Sequence, residues 1–273
     1  MILIKILITI LVVTLLSVVA ERGGPKLAGI LAGYPAGSAI SLFFFGLEVG
    51  PEFAGQSALY NIAGLVALQI FLLTYYLVTI RIPAQRRWLA IMSGLGAATA
   101  AFLATAGLLR LVNLPHWAGI GLTMLSLPLF QYLFRPIGNA LIVKRVRLGP
   151  RVLLFRASIS AGVIVLVTSV ASLVGPQWAG LFSAFPATIF PLVLIVHRTY
   201  GMDQAHTLIK NVPLGLWSLV LYSLTVSFVY PRLGLGWGTL ASFGAATLYL
   251  LILVGVRALR SSISSRQTRI KLV

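Results

Sequence analysis

Displaced by 151 positions, the chain meets itself. Gly24-Pro25-x-x-Ala28-Gly29 falls on Gly175-Pro176-x-x-Ala179-Gly180, and Pro35-Ala36 falls on Pro186-Ala187. The register then holds without a gap: Gly50 meets Gly201, Glu52 meets Asp203, Ala54 meets Ala205, Gly64-Leu65 meets Gly215-Leu216 and Leu73-Thr74 meets Leu224-Thr225. After a slip of three residues, Gly96-Ala97-Ala98-Thr99 meets Gly244-Ala245-Ala246-Thr247. Matches between Leu, Val and Ala carry little weight in an apolar chain. Paired Gly and Pro carry more, because each fixes a backbone geometry. A duplicated unit of this size must fold twice, and both copies must pack in one molecule.

The chain is 59% hydrophobic and 9% charged with a mean hydropathy of +1.01, whereas soluble domains carry about 25% charged residues. It reads as an integral membrane protein. Apolar runs of roughly 20 residues cross the hydrocarbon layer as helices, and nine such runs are found near 2–20, 27–47, 55–80, 87–109, 116–135, 152–174, 178–197, 207–230 and 237–257. Lys5 followed by an apolar stretch ending Ser17-Val18-Val19-Ala20 also has the form of a cleavable signal. Against that, Val12, Val19 and Ala20 align with Val163, Val170 and Ala171 at the common offset, which puts the first run inside the repeat. The expected fold is therefore an all-α membrane protein of about nine transmembrane helices, in which two four-helix repeats of inverted topology are joined by a linker helix. The boundaries are 1–111 for the first repeat, 112–150 for the linker helix and a basic loop, 151–258 for the second repeat and 259–273 for a basic tail.

The formal charge of +17 invites a nucleic-acid reading, which its distribution argues against. Counting the runs as crossings places Arg22, Lys26, Arg81, Arg86, Arg87, Arg135, Lys144, Arg145, Arg147, Arg151, Arg198 and the tail residues Arg257, Arg260, Arg266, Arg269 and Lys271 on one side, with Arg156 and Lys210 within reach of it. The other side holds Lys5, Arg110 and Arg232 with Glu48 and Glu52. This bias makes the basic side cytoplasmic, with the N-terminus outside and the C-terminus inside. The bases are spread over five segments without interleaved stacking aromatics, so no nucleic acid is expected. An odd number of crossings separates equivalent positions, which inverts the second copy relative to the first. Such inverted repeats recur in secondary transporters.

Gly29, Gly33, Gly37 and Ser41 fall at successive i+4 spacing, and Gly180, Ala184 and Thr188 repeat it, giving each helix a face of small residues suited to close packing. Pro35 and Pro186 interrupt these helices and free backbone carbonyls at depth, each after an aromatic residue, Tyr34 or Phe185. The two breaks should line one cavity near the membrane midplane. Tyr34, Pro35, Ser38, Asn61, Phe185, Pro186, Thr188 and Asn211 are the candidate substrate-binding residues. Glu52 and Asp203 precede equivalent helices and suit their free amides. No carboxylate is clearly buried, so classical ion coupling has no obvious carrier. His197, Asp203 and His206 share one short segment and make an incomplete metal site. Gly234-x-Gly236-x-Gly238 follows no strand and is no dinucleotide loop. No nucleophile, base and orienting group combine, so no catalytic residue, metal or cofactor is expected.

The second copy, from Trp178-Ala179-Gly180-Leu181 through Phe185-Pro186 and Gly201 to Gly215-Leu216-Trp217-Ser218 and Tyr222, resembles the GlpM family of small four-helix bacterial inner-membrane proteins. The likeness spans about residues 155–257. It is weaker in the first copy, where Tyr34 replaces the Phe and Val66 the Trp. The resemblance implies an inner-membrane, envelope-related role, the family being associated with alginate production, and it makes this chain similar to a fused pair of such units. The leading expectation is a membrane transporter or facilitator for a small anionic or neutral solute, with membrane lipids and the solute as partners. A flippase or accessory protein for lipid-linked saccharides in envelope polysaccharide export, and a non-transporting scaffold, are the alternatives. A homo-oligomer is compatible with all three.

Overall fold

A backbone inside lipid finds no water for its N–H and C=O groups, so it must satisfy them within one segment, as a helix does. In the computed structural model, which describes residues 2–140 and 149–270 and the side chains of 2–15, 26–140 and 149–256, every regular element is helical. The order is α1 (Ile2–Ala32), α2 (Ala36–Glu48), α3 (Pro51–Thr79), a short 3-10 turn (Ala84–Arg86), α4 (Arg87–Val112), α5 (His116–Leu133), α6 (Pro150–Ser183), α7 (Ile189–Thr199) and α8 (Met202–Ile270). The basic residues Lys144, Arg145 and Arg147 lie outside the described residues, as do the side chains of Glu21, Arg22 and the tail from Arg257 onward.

Among the described residues, five stretches are long and apolar enough to cross a membrane: Lys26–Glu48, Pro51–Thr79, Ala84–Val112, Pro150–Ser183 and Met202–Val256. Their outer faces carry large apolar side chains in the open, including Leu111 at 82%, Leu173 at 83% and Leu240 at 65% exposure. A continuous apolar surface of this kind is sustained by lipid and not by water.

Helix boundaries differ from the nine sequence runs where runs join and where prolines break them. α1 stays helical through the connection expected at 21–26. Its first part, Ile2–Leu15, packs against the stretch Lys26–Glu48: Lys5 reaches Glu48, and Val13 shares a cavity with Ala28, Ala32 and Ala36. The last two runs join in α8, with Gly234 at φ 73° marking the kink between them. Gly175, at φ 76° and followed by Pro176, kinks α6 in the same manner. Both glycines take a conformation that side chains resist.

The proline breaks share one backbone design. Around Pro35 the bonds run Gly33 N to Ile30 O, Tyr34 N to Leu31 O, Ala36 N to Tyr34 O and Ala39 N to Pro35 O, at 2.7–3.1 Å. Around Pro186 they run Ala184 N to Leu181 O, Phe185 N to Phe182 O, Ala187 N to Phe185 O and Phe190 N to Pro186 O, at 2.6–3.2 Å. Each bond is displaced by the same 151 residues as the sequence match. The turns that follow agree as well. Val49 and Gly50 both bond Phe45 O, while Tyr200 and Gly201 both bond Val196 O. Gly50 and Gly201 sit at φ 136° and 123°.

The small faces are used for contact between the copies. A methyl added to Gly29 would strike Leu208 O and come within 2.8 Å of Asn211 Cβ; one added to Gly180 would strike Ser57 O and come within 2.7 Å of Tyr60 Cβ. Ser57 and Tyr60 precede Leu208 and Asn211 by the repeat offset. Gly215 packs on Ile30 and Gly33, and Gly64 packs on Leu181 and Ala184, again equivalent positions. Thus α1 crosses α8 through the same residues that α6 uses to cross α3. The contacts therefore pair at the common offset of 151 residues.

Gly29→Ala, Gly180→Ala and Gly215→Ala should each lower stability by about 1–3 kcal/mol through overpacking. Gly96→Ala, Gly107→Ala and Gly162→Ala meet no atom within 4 Å and should be neutral or gain up to about 1 kcal/mol of helix propensity. Thermal unfolding of the purified variants in detergent checks the split, and equal losses in both groups would contradict it.

Candidate functional site

A proline break leaves carbonyls without helical donors, and in this interior each must find another partner. Ser38 Oγ donates to Ser183 O at 2.8 Å, and Ser160 Oγ donates to Ala187 O at 2.9 Å. Asn61 of α3 stands at the centre. Its Nδ2 donates to Ser183 Oγ at 2.8 Å and Ser38 Oγ at 3.2 Å, while Ser223 Oγ donates to its Oδ1 at 2.9 Å. All four side chains are buried. The network ties α2, α3, α6 and α8 together where the two copies cross.

The expected site residues divide into several locations. Ser38 and Asn61 come together, joined by Ser183 and Ser223, which the sequence reading had passed over. Pro35 and Pro186 are buried at the breaks. Gly37 faces Ala187 and Thr188, with a notional methyl 3.6–3.8 Å from them. Beside that contact lies a cavity of about 10 Å³ lined by Val13, Ala36, Arg156, Thr188 and Leu192, room for about one water. Tyr34 turns outward, its hydroxyl 2.9 Å from Thr247 Oγ1 and its ring 6.1 Å from Phe243. Phe185 packs among Phe71, Phe102 and Phe190. Asn211 lies apart from Asn61 and donates to Thr207 O of its own helix at 2.7 Å.

Ionisable groups enter the interior more than the sequence suggested. Lys5 is 2% exposed, and its Nζ bonds Glu48 Oε2 at 2.7 Å and Thr168 Oγ1 at 2.8 Å, over the Phe44 ring at 5.5 Å. Glu48 keeps part of its side chain in the open, so the pair joins a buried ammonium to a half-exposed carboxylate. Arg156, 4% exposed, occupies the place equivalent to Lys5 in the second copy. That shared register was the available sequence signal. His197 and His206 are also buried, one on α7 and the other on α8. Tyr75 Oη lies 2.7 Å from His197 Nδ1 and Thr79 Oγ1 lies 2.8 Å from His206 Nε2. Among the described residues no three metal-ligating side chains cluster.

Two pockets flank opposite ends of α5. At its C-terminal end, Lys26, Gln131, Tyr132, Arg135, Asn139, Lys210, Asn211 and Leu214 line an open pocket of about 440 Å³. At its N-terminal end, Leu59, Tyr60, Ala63, His116, Gly119 and Gln177 border a pocket of about 10 Å³, narrowed by the Tyr60 and His116 rings at 4.8 Å. The lining positions correspond: Lys26 with Gln177, Lys210 with Leu59, Asn211 with Tyr60 and Leu214 with Ala63, all at the repeat offset. Equivalent places are open at one end of α5 and shut at the other.

Removing the hub should be felt. Asn61→Ala and Ser183→Ala should each destabilise by about 0.6–1.7 kcal/mol, the range of interhelical hydrogen bonds in membranes. Their double-mutant cycle should show a coupling of similar size, and additive losses would mean that the 2.8 Å bond contributes nothing. No family model, curated protein or solved structure matches the chain.

Proposed function

We propose that the chain is a membrane transporter or facilitator for a small anionic or neutral solute, built from two inverted units that open in turn at the two ends of α5. The observation that carries this reading is the pair of equivalent pockets, about 440 Å³ at one end and about 10 Å³ at the other. In inverted-repeat transporters each half takes the conformation of the other during the cycle, so equivalent places are open on one side when shut on the opposite side. The reciprocal glycine crossings supply the pivot, because contacts that exchange under a two-fold survive the exchange of conformations. The basic bias of Arg81, Arg86, Arg87, Arg135 and Arg198 supports a cytoplasmic position for the open pocket. The likeness of the second copy to the GlpM proteins supports placement in a bacterial inner membrane.

The chain contains no cysteine, so a single introduced one reports alone. Leu214→Cys should react with an impermeant maleimide from the basic side of proteoliposomes. Ala63→Cys should react from the opposite side at a rate between about ten- and a thousandfold slower, reflecting a minor state populated at about 0.1–10%. Bridging cysteines placed at Tyr60 and His116 should abolish the second reaction and tracer anion flux while sparing the first. Ala63→Cys that stays unreactive from both sides, with no flux of any tested solute, would leave a static scaffold as the better description.

A further inference from the structure

The open pocket carries a charge pattern that its counterpart lacks. Its lining draws Lys26 from α1, Arg135 from the segment after α5 and Lys210 from α8, so three cations on three separate elements border one space. Gln131, Asn139 and Asn211 add amide donors. Lys210 Nζ already donates to Ile137 O and, at 3.4 Å, to Arg135 O. Those bonds hold the segment carrying Arg135 against α8, and an ammonium has a third proton left to give. At the equivalent places of the shut pocket stand Gln177 for Lys26 and Leu59 for Lys210. Topogenic bias explains why basic residues lie on one side of a membrane. It does not explain why three of them border one concave space of about 440 Å³, a volume within the usual range for small-ligand sites.

We infer that this pocket is a binding site for a phosphate-bearing anion, held by Lys26, Arg135 and Lys210 at this end of α5 only. Phosphate suits the set because it offers several acceptor oxygens and at least one full charge. Arg contacts it through a planar fork and Lys as a compact point charge. A carboxylate presents two oxygens in one plane and cannot face three separate elements as well. Bound phosphate would link the first unit, the linker and the second unit, and so favour the conformation in which this pocket is open. The inference rests on reading the pocket as the open end of the pathway, but equilibrium binding tests it whether or not flux is ever seen.

The full-length protein in phosphatidylcholine nanodiscs is titrated with inorganic phosphate against chloride at constant ionic strength, with thermal unfolding as readout, since a ligand that binds only the folded state raises its melting temperature. Wild type should show a saturable rise. Lys26→Gln and Arg135→Gln, both exposed side chains, should each move the half-saturation point up about tenfold, the size expected for one charged hydrogen bond. Arg81→Gln, elsewhere on the chain, should leave it unchanged. A parallel set in phosphatidylglycerol nanodiscs separates the two sources of phosphate. If free phosphate is the ligand, its response persists there. If a lipid headgroup is the ligand, phosphatidylglycerol itself stabilises wild type, is retained in native mass spectra and suppresses the phosphate response, and Lys26→Gln and Arg135→Gln lose all three effects. No stabilisation by either source, or equal changes in Arg81→Gln and Arg135→Gln, overturns the site.

Discussion

Where α1 crosses α8 and α6 crosses α3, glycines let the two backbones meet directly, and the position of everything else follows from those two crossings. Lipid tails are as apolar as leucine, so helices inside a membrane gain little from hydrophobic burial against each other. Close van der Waals packing and hydrogen bonding have to supply the attraction. Gly29, Gly180 and Gly215 sit where a single methyl would collide with a facing backbone. Such a crossing permits one depth and a narrow range of angles. It carries Pro35 and Pro186 to the same locality, and it brings Asn61 within reach of Ser38 and Ser183.

The breaks would be a liability without that arrangement. A free carbonyl in a dry interior costs about as much as a lost hydrogen bond. Here the donors come from the opposite copy or from the adjacent helix, as Ser38 does for Ser183 O and Ser160 for Ala187 O. The consequence is a closely packed centre in which the Ser183 and Ala187 carbonyls have donors, with room for about one water beside Thr188. The space for a ligand lies further out, at an end of α5. The linker helix therefore has a role beyond connection. Its two ends border the two equivalent pockets, and it has no partner in the other copy to mirror it.

The sequence disclosed what depends on backbone geometry and concealed what depends on orientation. Pro35 with Pro186, Gly50 with Gly201 and the small faces around Gly29 and Gly180 were all legible, because Gly and Pro constrain the chain wherever they stand. The inward faces were not legible. A span surrounded by lipid is apolar all round, so no amphipathic period tells which residues look inward. Ser183 and Ser223 went unnoticed for that reason, and Asn61 and Asn211 looked alike although one is the hub of a network and the other borders an open pocket. Lys5 was read as an outer-side charge from its place near a helix end, yet it turns inward to Glu48 and Thr168. Its match with Arg156 at the repeat offset was visible and was passed over. His197 and His206 misled in a different way. They were grouped with Asp203 in one short segment as an incomplete metal site, whereas they stand on two helices, α7 and α8, that only Tyr200 and Gly201 separate.

Exchange of the two halves, on the proposed reading, has to break few bonds. The Lys5–Glu48 pair joins α1 to α2 within one unit, travels with it and has no need to separate. Only its bond to Thr168 reaches the second unit, worth about 1 kcal/mol. Opening the shut pocket parts the Tyr60 and His116 rings, a contact of about 0.5–1.5 kcal/mol. The network around Asn61 lies at the crossing itself, where a rotation displaces atoms least, and it can persist through the change. A gap built from these terms amounts to about 1.5–2.5 kcal/mol, within the range that leaves a minor conformation measurably populated. The same terms give the open pocket its bias, because Tyr60 fills its end of α5 with an aromatic ring where Asn211 leaves room at the other. Two copies of one unit thus arrive at unequal ends through a few side chains, while the glycine crossings that hold them stay the same.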